Sequence, residues 1–245
     1  MLAIIGGSGL TQLSNLSSVR REVVRTPWGE PSGPLTFGSL CEEPVVFLAR
    51  HGYGHTIPPH QVNYRANIWA LREAGARGIV SVASVGSIRA DWRPGTLVVP
   101  DQIIDYTSGR SSTYHDGGEE GVRHVDFTHP YDRALRQRLL AALALAGEAA
   151  VDGGVYAATQ GPRLETAAEV SRLERDGAEL IGMTGMPEAV LARELDLPYA
   201  ALSVVVNHAA GRLDSADSIS LVDVEAVLLE AMARVRLVLE KICQV

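Results

Sequence analysis

The chain is poor in lysine, cysteine, aromatic residues and long apolar runs. Lys241 is its only lysine, so 21 of the 22 basic residues are arginines. Cys41 and Cys243 are too few for a disulfide framework, and a reducing compartment is the simpler expectation. No apolar stretch reaches the roughly 18 residues of a membrane helix. Residues 1–10 meet glycine after Ile5 and carry no basic region, so they do not read as a secretory leader. Together these absences lead to the expectation of a cytoplasmic protein. An excess of positive charge is also missing. The 22 Lys+Arg against 29 Asp+Glu give −7, a poor match for nucleic acid or an anionic membrane. With 46% hydrophobic and 21% charged residues, a disordered chain is excluded. The 245 residues suit one large α/β domain, or at most two small ones, and a single domain over 1–245 is expected. The arginine bias has a compositional reading, and a sharper one in which some arginines stand where only a planar fork fits.

What is present is an alternation of short apolar runs with longer amphipathic stretches. Residues 2–5, 45–48, 78–82, 96–99, 154–157, 179–182 and 199–206 read as buried strands. Residues 60–74, 132–146, 166–176, 187–194 and 222–242 read as helices. Pro187 before Glu188 fits a helix start and Gly75 a helix end. The alternation predicts an α/β fold with a central mixed or largely parallel, twisted sheet flanked by helices. Residues 110–123 form the longest aperiodic stretch, of the kind that becomes a lid or an interface segment.

Five segments stand where strands give way to turns. Ile4-Ile5-Gly6-Gly7-Ser8-Gly9 offers a tight turn with exposed N–H groups and a hydroxyl for an anion. A turn without a ligand explains it as well. It is not a dinucleotide fingerprint, because Gln12 stands where glycine or alanine is required. Arg50-His51-Gly52, with His55 following, offers a guanidinium fork and a second donor. Gly161-Pro162-Arg163-Leu164-Glu165 brings a carboxylate close to a helix start, where it is either a site residue or a capping acid. Met183 and Thr184 precede another helix start, a place for an anion and for an apolar surface under a sugar, or for a core methionine and a cap. Asn207 follows three valines and is either a buried structural amide or the reader of a heterocycle edge. The seven histidines lack metal-ligand spacing, so no metal is expected.

In this order, GGSGL at 6–10, LARHG at 48–52, HQVNYRANIWAL at 60–71, TQGPRLET at 159–166, GMTGMPE at 182–188 and VVVNHAAG at 204–211 resemble the trimeric purine nucleoside phosphorylase and methylthioadenosine phosphorylase family. The resemblance runs over nearly the whole chain, 4–242. It implies phosphate held by Ser8, Arg50, His51 and Thr184 with the Ala83-Ser84 stretch nearby, and ribose against Met183. It implies no cofactor, phosphate being a co-substrate, and a homotrimer in which a neighbour closes each site. Residues 124–127 are expected at that boundary, with His124 nearest the 5′ group.

The resemblance also bears on substrate choice. Family members for 6-aminopurines carry aspartates on the strand of Asn207 and a serine at the place of Glu165, whereas members for 6-oxopurines carry Asn and Glu. Here Asn207 and Glu165 are joined by Ala209 in place of a second aspartate. Ahead of the last helix, Ser218 to Val224 contains no histidine for a 5′-hydroxyl, so Leu221, Val222 or Val224 would form an apolar 5′ pocket. Leu164 replaces a phenylalanine often found against the base. The combination implies phosphorolysis of a 6-oxopurine nucleoside with a 5′-methylthio group. Asn207 would stabilise the departing purine, Glu165 would fix it, and His51 would help orient phosphate. A general inosine/guanosine phosphorylase, a methylthioadenosine phosphorylase and a nucleoside binder without turnover are the alternatives.

Overall fold

The structure, a computed structural model, describes residues 1–117 and 121–245. Part of the aperiodic stretch 110–123 thus lies outside the described residues. Strand β1 (Leu2–Gly6) shows how the core is built. Successive strand side chains point to opposite faces. Ala3 and Ile5 pack on one face with Val46, Leu48, Ile68, Leu71 and Leu191. Ile4 packs on the other with Phe47, Val80, Leu139, Val235 and Leu239. A strand apolar on both faces must be covered on both, and it is.

The order is β1, β2 (Ser17–Glu22), β3 (Leu35–Leu40), β4 (Glu43–Ala49), α1 (Tyr64–Glu73), β5 (Ile79–Ser87), β6 (Leu97–Val99), β7 (Gln102–Asp105), α2 (Arg133–Leu145), β8 (Ala150–Asp152), β9 (Val155–Ala158), α3 (Ala167–Arg175), β10 (Leu180–Gly182), α4 (Gly185–Glu194), β11 (Tyr199–His208) and α5 (Leu221–Lys241). Helices α1 and α4 contribute to one face and α2 and α5 to the other. Val170 and Leu173 of α3 pack with Ile181 in a smaller cluster.

Helix starts follow local chemistry. Asn63, Asp132 and Ser220 each accept a backbone N–H at the head of α1, α2 and α5, and Thr166 forms a reciprocal capping box with Glu169. Met186 has non-helical angles, so the regular part of α4 starts at Pro187, as the sequence suggests. Gly75, at φ +84°, follows the end of α1. Among the described residues, no helix is long and apolar enough to cross a membrane.

Among the described residues, eleven strands join one mixed sheet, and β5 is its branch point. One edge of β5 pairs in parallel with β11 along its whole length. The other edge pairs with β1 only at residues 79–81 and with β10, antiparallel, only at 86–87. Between them the sheet splits. Residues 82–85 have neither strand beside them on that edge, and β1 and β10 end at the mouth of the gap. In α/β sheets such a divergence is where ligands bind.

Candidate active site

A cavity of about 570 Å³ opens at this split. Its walls come from the five segments singled out in the sequence, although they lie up to 200 residues apart. Ser8, Arg50, His51, Ser84 and Thr184, the residues expected at phosphate, all reach it. So do Met183, Leu164, Glu165 and Asn207, expected at sugar and base. Leu221 and Val224 reach it from the start of α5, together with Ile219. Val222 does not. Residues 221 and 224 share a helix face that meets the cavity, with Leu221 at its open rim, and residue 222 lies about 100° further round. His124 is exposed and forms no part of the cavity wall of its own chain.

Gly7 shows why the first turn must be bare. A Cβ there would stand 2.7 Å from the Val82 carbonyl oxygen and 2.9 Å from a terminal guanidinium nitrogen of Arg50. Glycine at this point lets β1 lie directly against the open edge of β5.

Arg50 departs from the expectation of a fork turned toward an anion. It is fully buried, and its Nε and one terminal nitrogen donate to the two carboxylate oxygens of Glu188. The same terminal nitrogen donates to Ser81 Oγ at 2.6 Å, and the other donates to the Val82 carbonyl at 3.2 Å. Glu188 also accepts from Ser81 Oγ at 2.9 Å and from the Tyr199 hydroxyl at 2.8 Å. A buried carboxylate so surrounded holds the guanidinium in one orientation. Burial pulls the Arg50 pKa down, but the charge and hydrogen bonds of Glu188 more than offset this and leave it above its ordinary value. The pair has no net charge, and only one edge of Arg50 borders the cavity.

His51 also departs from the expectation of a second donor toward an anion, since its Nδ1 faces a backbone carbonyl. Burial, followed by the charge of Arg50, lowers its pKa to about 4. Its Nδ1 lies 2.8 Å from the Ile57 carbonyl. The His55 ring lies beside it, tilted by 45° at a centroid distance of 4.9 Å, and its Nε2 lies 2.9 Å from Ser8 Oγ. Sequence reasoning noted His55 but gave it no role. Its position, four residues after His51 in a glycine-rich turn, was the available signal.

Glu165 is not the cap of α3, because Thr166 and Glu169 fill that role. Instead its Oε1 accepts from the Thr159 hydroxyl at 2.7 Å, which fixes the carboxylate at the cavity. Asn207 owes its position to an irregularity. The register between β11 and β5 shifts between Val205 and Asn207, so both Val206 and Asn207 reach the cavity. The Asn207 amide nitrogen donates to the His208 carbonyl at 2.6 Å, leaving one N–H and the amide oxygen for a ligand. Arg110, unassigned in the sequence, ties two of these segments together. It donates to the carbonyls of Met183 at 2.8 Å, Met186 at 2.7 Å and Gln160 at 2.9 Å.

The model of the phosphorylase superfamily matches residues 1–244. The chain belongs to that superfamily. This phosphorylase chain is 53% identical over 240 residues to a probable S-methyl-5′-thioinosine phosphorylase of Pseudomonas syringae pv. tomato, covering 98% of this chain and 97% of that protein. It is 46% identical over 215 residues to the 6-oxopurine nucleoside phosphorylase of Pyrococcus furiosus, covering 86% and 80%. Methylthioadenosine phosphorylase from Schistosoma mansoni in complex with adenine superposes with a TM-score of 0.93 at 30% identity, covering 99% of this chain and 90% of that one. The single α/β fold with a mixed, helix-flanked sheet is therefore that of the nucleoside phosphorylases.

Proposed function

We propose that this phosphorylase cleaves the N-glycosidic bond of S-methyl-5′-thioinosine with phosphate, giving hypoxanthine and 5-methylthioribose 1-phosphate. The observation that carries the reading is the meeting of Glu165 and Asn207 with an apolar wall of Ile219, Leu221 and Val224 in one cavity. A carboxylate can accept the N1–H of a 6-oxopurine, whereas adenine has no hydrogen at N1. The free N–H of Asn207 can donate to N7 or O6. A wrong base would leave these groups unpaired, which discriminates strongly. An apolar wall suits a methylthio group better than a hydroxyl. The relatives named for methylthioinosine and for 6-oxopurine nucleosides support the same choice.

In the reaction, a phosphate oxygen attacks C1′ while the bond to N9 breaks and its electron pair leaves with the purine. The transition state is cationic at the sugar. Arg50 is matched by Glu188 and His51 is neutral, so bound phosphate keeps most of its negative charge. That charge faces the developing cation, a preorganised electrostatic arrangement that needs no covalent nucleophile on the protein. No cofactor enters this scheme.

The test is a rate comparison of methylthioinosine, inosine and methylthioadenosine, with and without phosphate. Methylthioinosine is expected to have the highest kcat/KM, and base release is expected to require phosphate. A higher value for inosine or methylthioadenosine would move the assignment to that substrate. In the double variant Asn207→Asp, Glu165→Ser the preference is expected to shift toward methylthioadenosine, and an unchanged ratio would refute the base-reading argument.

The assembly we infer is a homotrimer, with His124 completing a neighbour's cavity near the 5′ group. Its exposure on its own chain is compatible with that role. Sedimentation should give three times the chain mass, and a fully active monomer would exclude the arrangement.

A further inference from the structure

The hydrogen bond behind His51 determines what its other nitrogen can do. A backbone carbonyl only accepts, so the contact of Nδ1 with the Ile57 oxygen at 2.8 Å places the ring proton on Nδ1. The ring is buried beside the Arg50 guanidinium, which opposes a second proton. Nε2 is therefore a bare lone pair. Among the described residues it takes no hydrogen bond, and the ring lines the cavity close to Ser8 and His55. Every other polar group expected at phosphate there can donate: the outer edge of Arg50, the hydroxyls of Ser8 and Thr184, and the unpaired edge of β5. His51 alone among them must accept.

We propose that His51 selects a tetrahedral oxyanion that still carries a proton, so that the site takes hydrogen phosphate or hydrogen arsenate and discriminates against sulfate. The proposal rests on the phosphate reading given above and specifies the protonation state of that co-substrate. Hydrogen phosphate can give its P–O–H to Nε2 and receive hydrogen bonds on its remaining oxygens. Sulfate has the same shape and charge, but at neutral pH it has no proton. It would set an oxygen lone pair against the Nε2 lone pair, in a buried position where neither finds another partner. An unsatisfied buried pair of this kind costs about 1–3 kcal/mol, which corresponds to roughly 5- to 150-fold in affinity.

The experiment uses the whole enzyme with methylthioinosine. The KM is measured for sodium phosphate and for sodium arsenate, and the inhibition constant for sodium sulfate competing with phosphate. The wild-type enzyme is expected to use arsenate with a KM similar to that of phosphate, and to bind sulfate at least ten-fold more weakly than either. In His51→Gln the side-chain amide can donate as well as accept, so the sulfate-to-phosphate ratio is expected to fall to about three-fold or less. Wild-type sulfate inhibition as strong as phosphate binding would overturn the proposal without any variant. A ratio unchanged in a folded His51→Gln enzyme would overturn it too. In both cases the phosphate requirement would persist, and the reading of the cavity as a phosphorylase site would stand. Base release independent of phosphate would overturn both together.

Discussion

In Asn207→Ala, kcat/KM for methylthioinosine is expected to fall by about 10²- to 10³-fold, the range for loss of one preorganised donor at a site of developing charge. As the C1′–N9 bond breaks, negative charge grows on the purine ring, and an amide N–H aimed at N7 or O6 stabilises the transition state more than the bound nucleoside. The loss should therefore fall mainly on kcat rather than on KM. The amide is preorganised. One N–H is tied to the His208 carbonyl at 2.6 Å, and the register shift after Val205 holds the residue at the cavity. Because Asn207 is only half-buried, its truncation should cost little stability, and thermal denaturation of the variant should overlay that of the parent. A loss of less than about three-fold in a fully folded variant would remove Asn207 from the reaction.

The glycine- and loop-rich ends of the apolar strands were readable because strand burial leaves a strong local signal, and β1, β4, β5, β10 and β11 all fall where apolar runs predict them. Strands β2, β3, β7 and β8 were not. Ser17–Glu22 is almost wholly exposed and polar, Gln102–Asp105 and Ala150–Asp152 are short, and Leu35–Leu40, although largely buried, has its apolar residues broken up by Thr36, Gly38 and Ser39. Positions in the site were more legible than their partners. Arg50 was recognisable as a buried strand-end arginine, but its counter-ion is 138 residues away at the start of α4, where an acid reads as an ordinary dipole companion. Similarly, an apolar start to α5 was visible, but its phase, which sets Leu221 and Val224 at the cavity and Val222 away from it, depends on how the helix docks. The scarcity of lysine acquires a structural meaning at a few places. Arg50, Arg110 and Arg136 each satisfy several acceptors on different segments, which an ammonium on a flexible stem cannot reproduce.

The second large effect is expected at Glu188, which touches no substrate in this scheme. Glu188→Ala removes the partner of a fully buried guanidinium and leaves the Ser81 and Tyr199 hydroxyls without their acceptor. Breaking a buried ion pair from one side costs about 3–5 kcal/mol. For a chain of this size that lowers Tm by roughly 6–20 °C. Activity should fall as well, because Arg50 loses the contacts that orient its outer edge at the phosphate end. Stability and activity can be separated by replacing both partners. In Arg50→Met, Glu188→Leu no charge is left uncompensated, and buried pairs exchanged for apolar side chains of similar volume are often neutral in stability. This double variant is expected to recover much of the lost Tm, measured by calorimetry, while its kcat/KM for phosphate stays at least about 10²-fold below the parent. Recovery of both would mean that Arg50 serves only the fold. Recovery of neither would mean that the Ser81 and Tyr199 hydroxyls, rather than the charge pair, govern this part of the core.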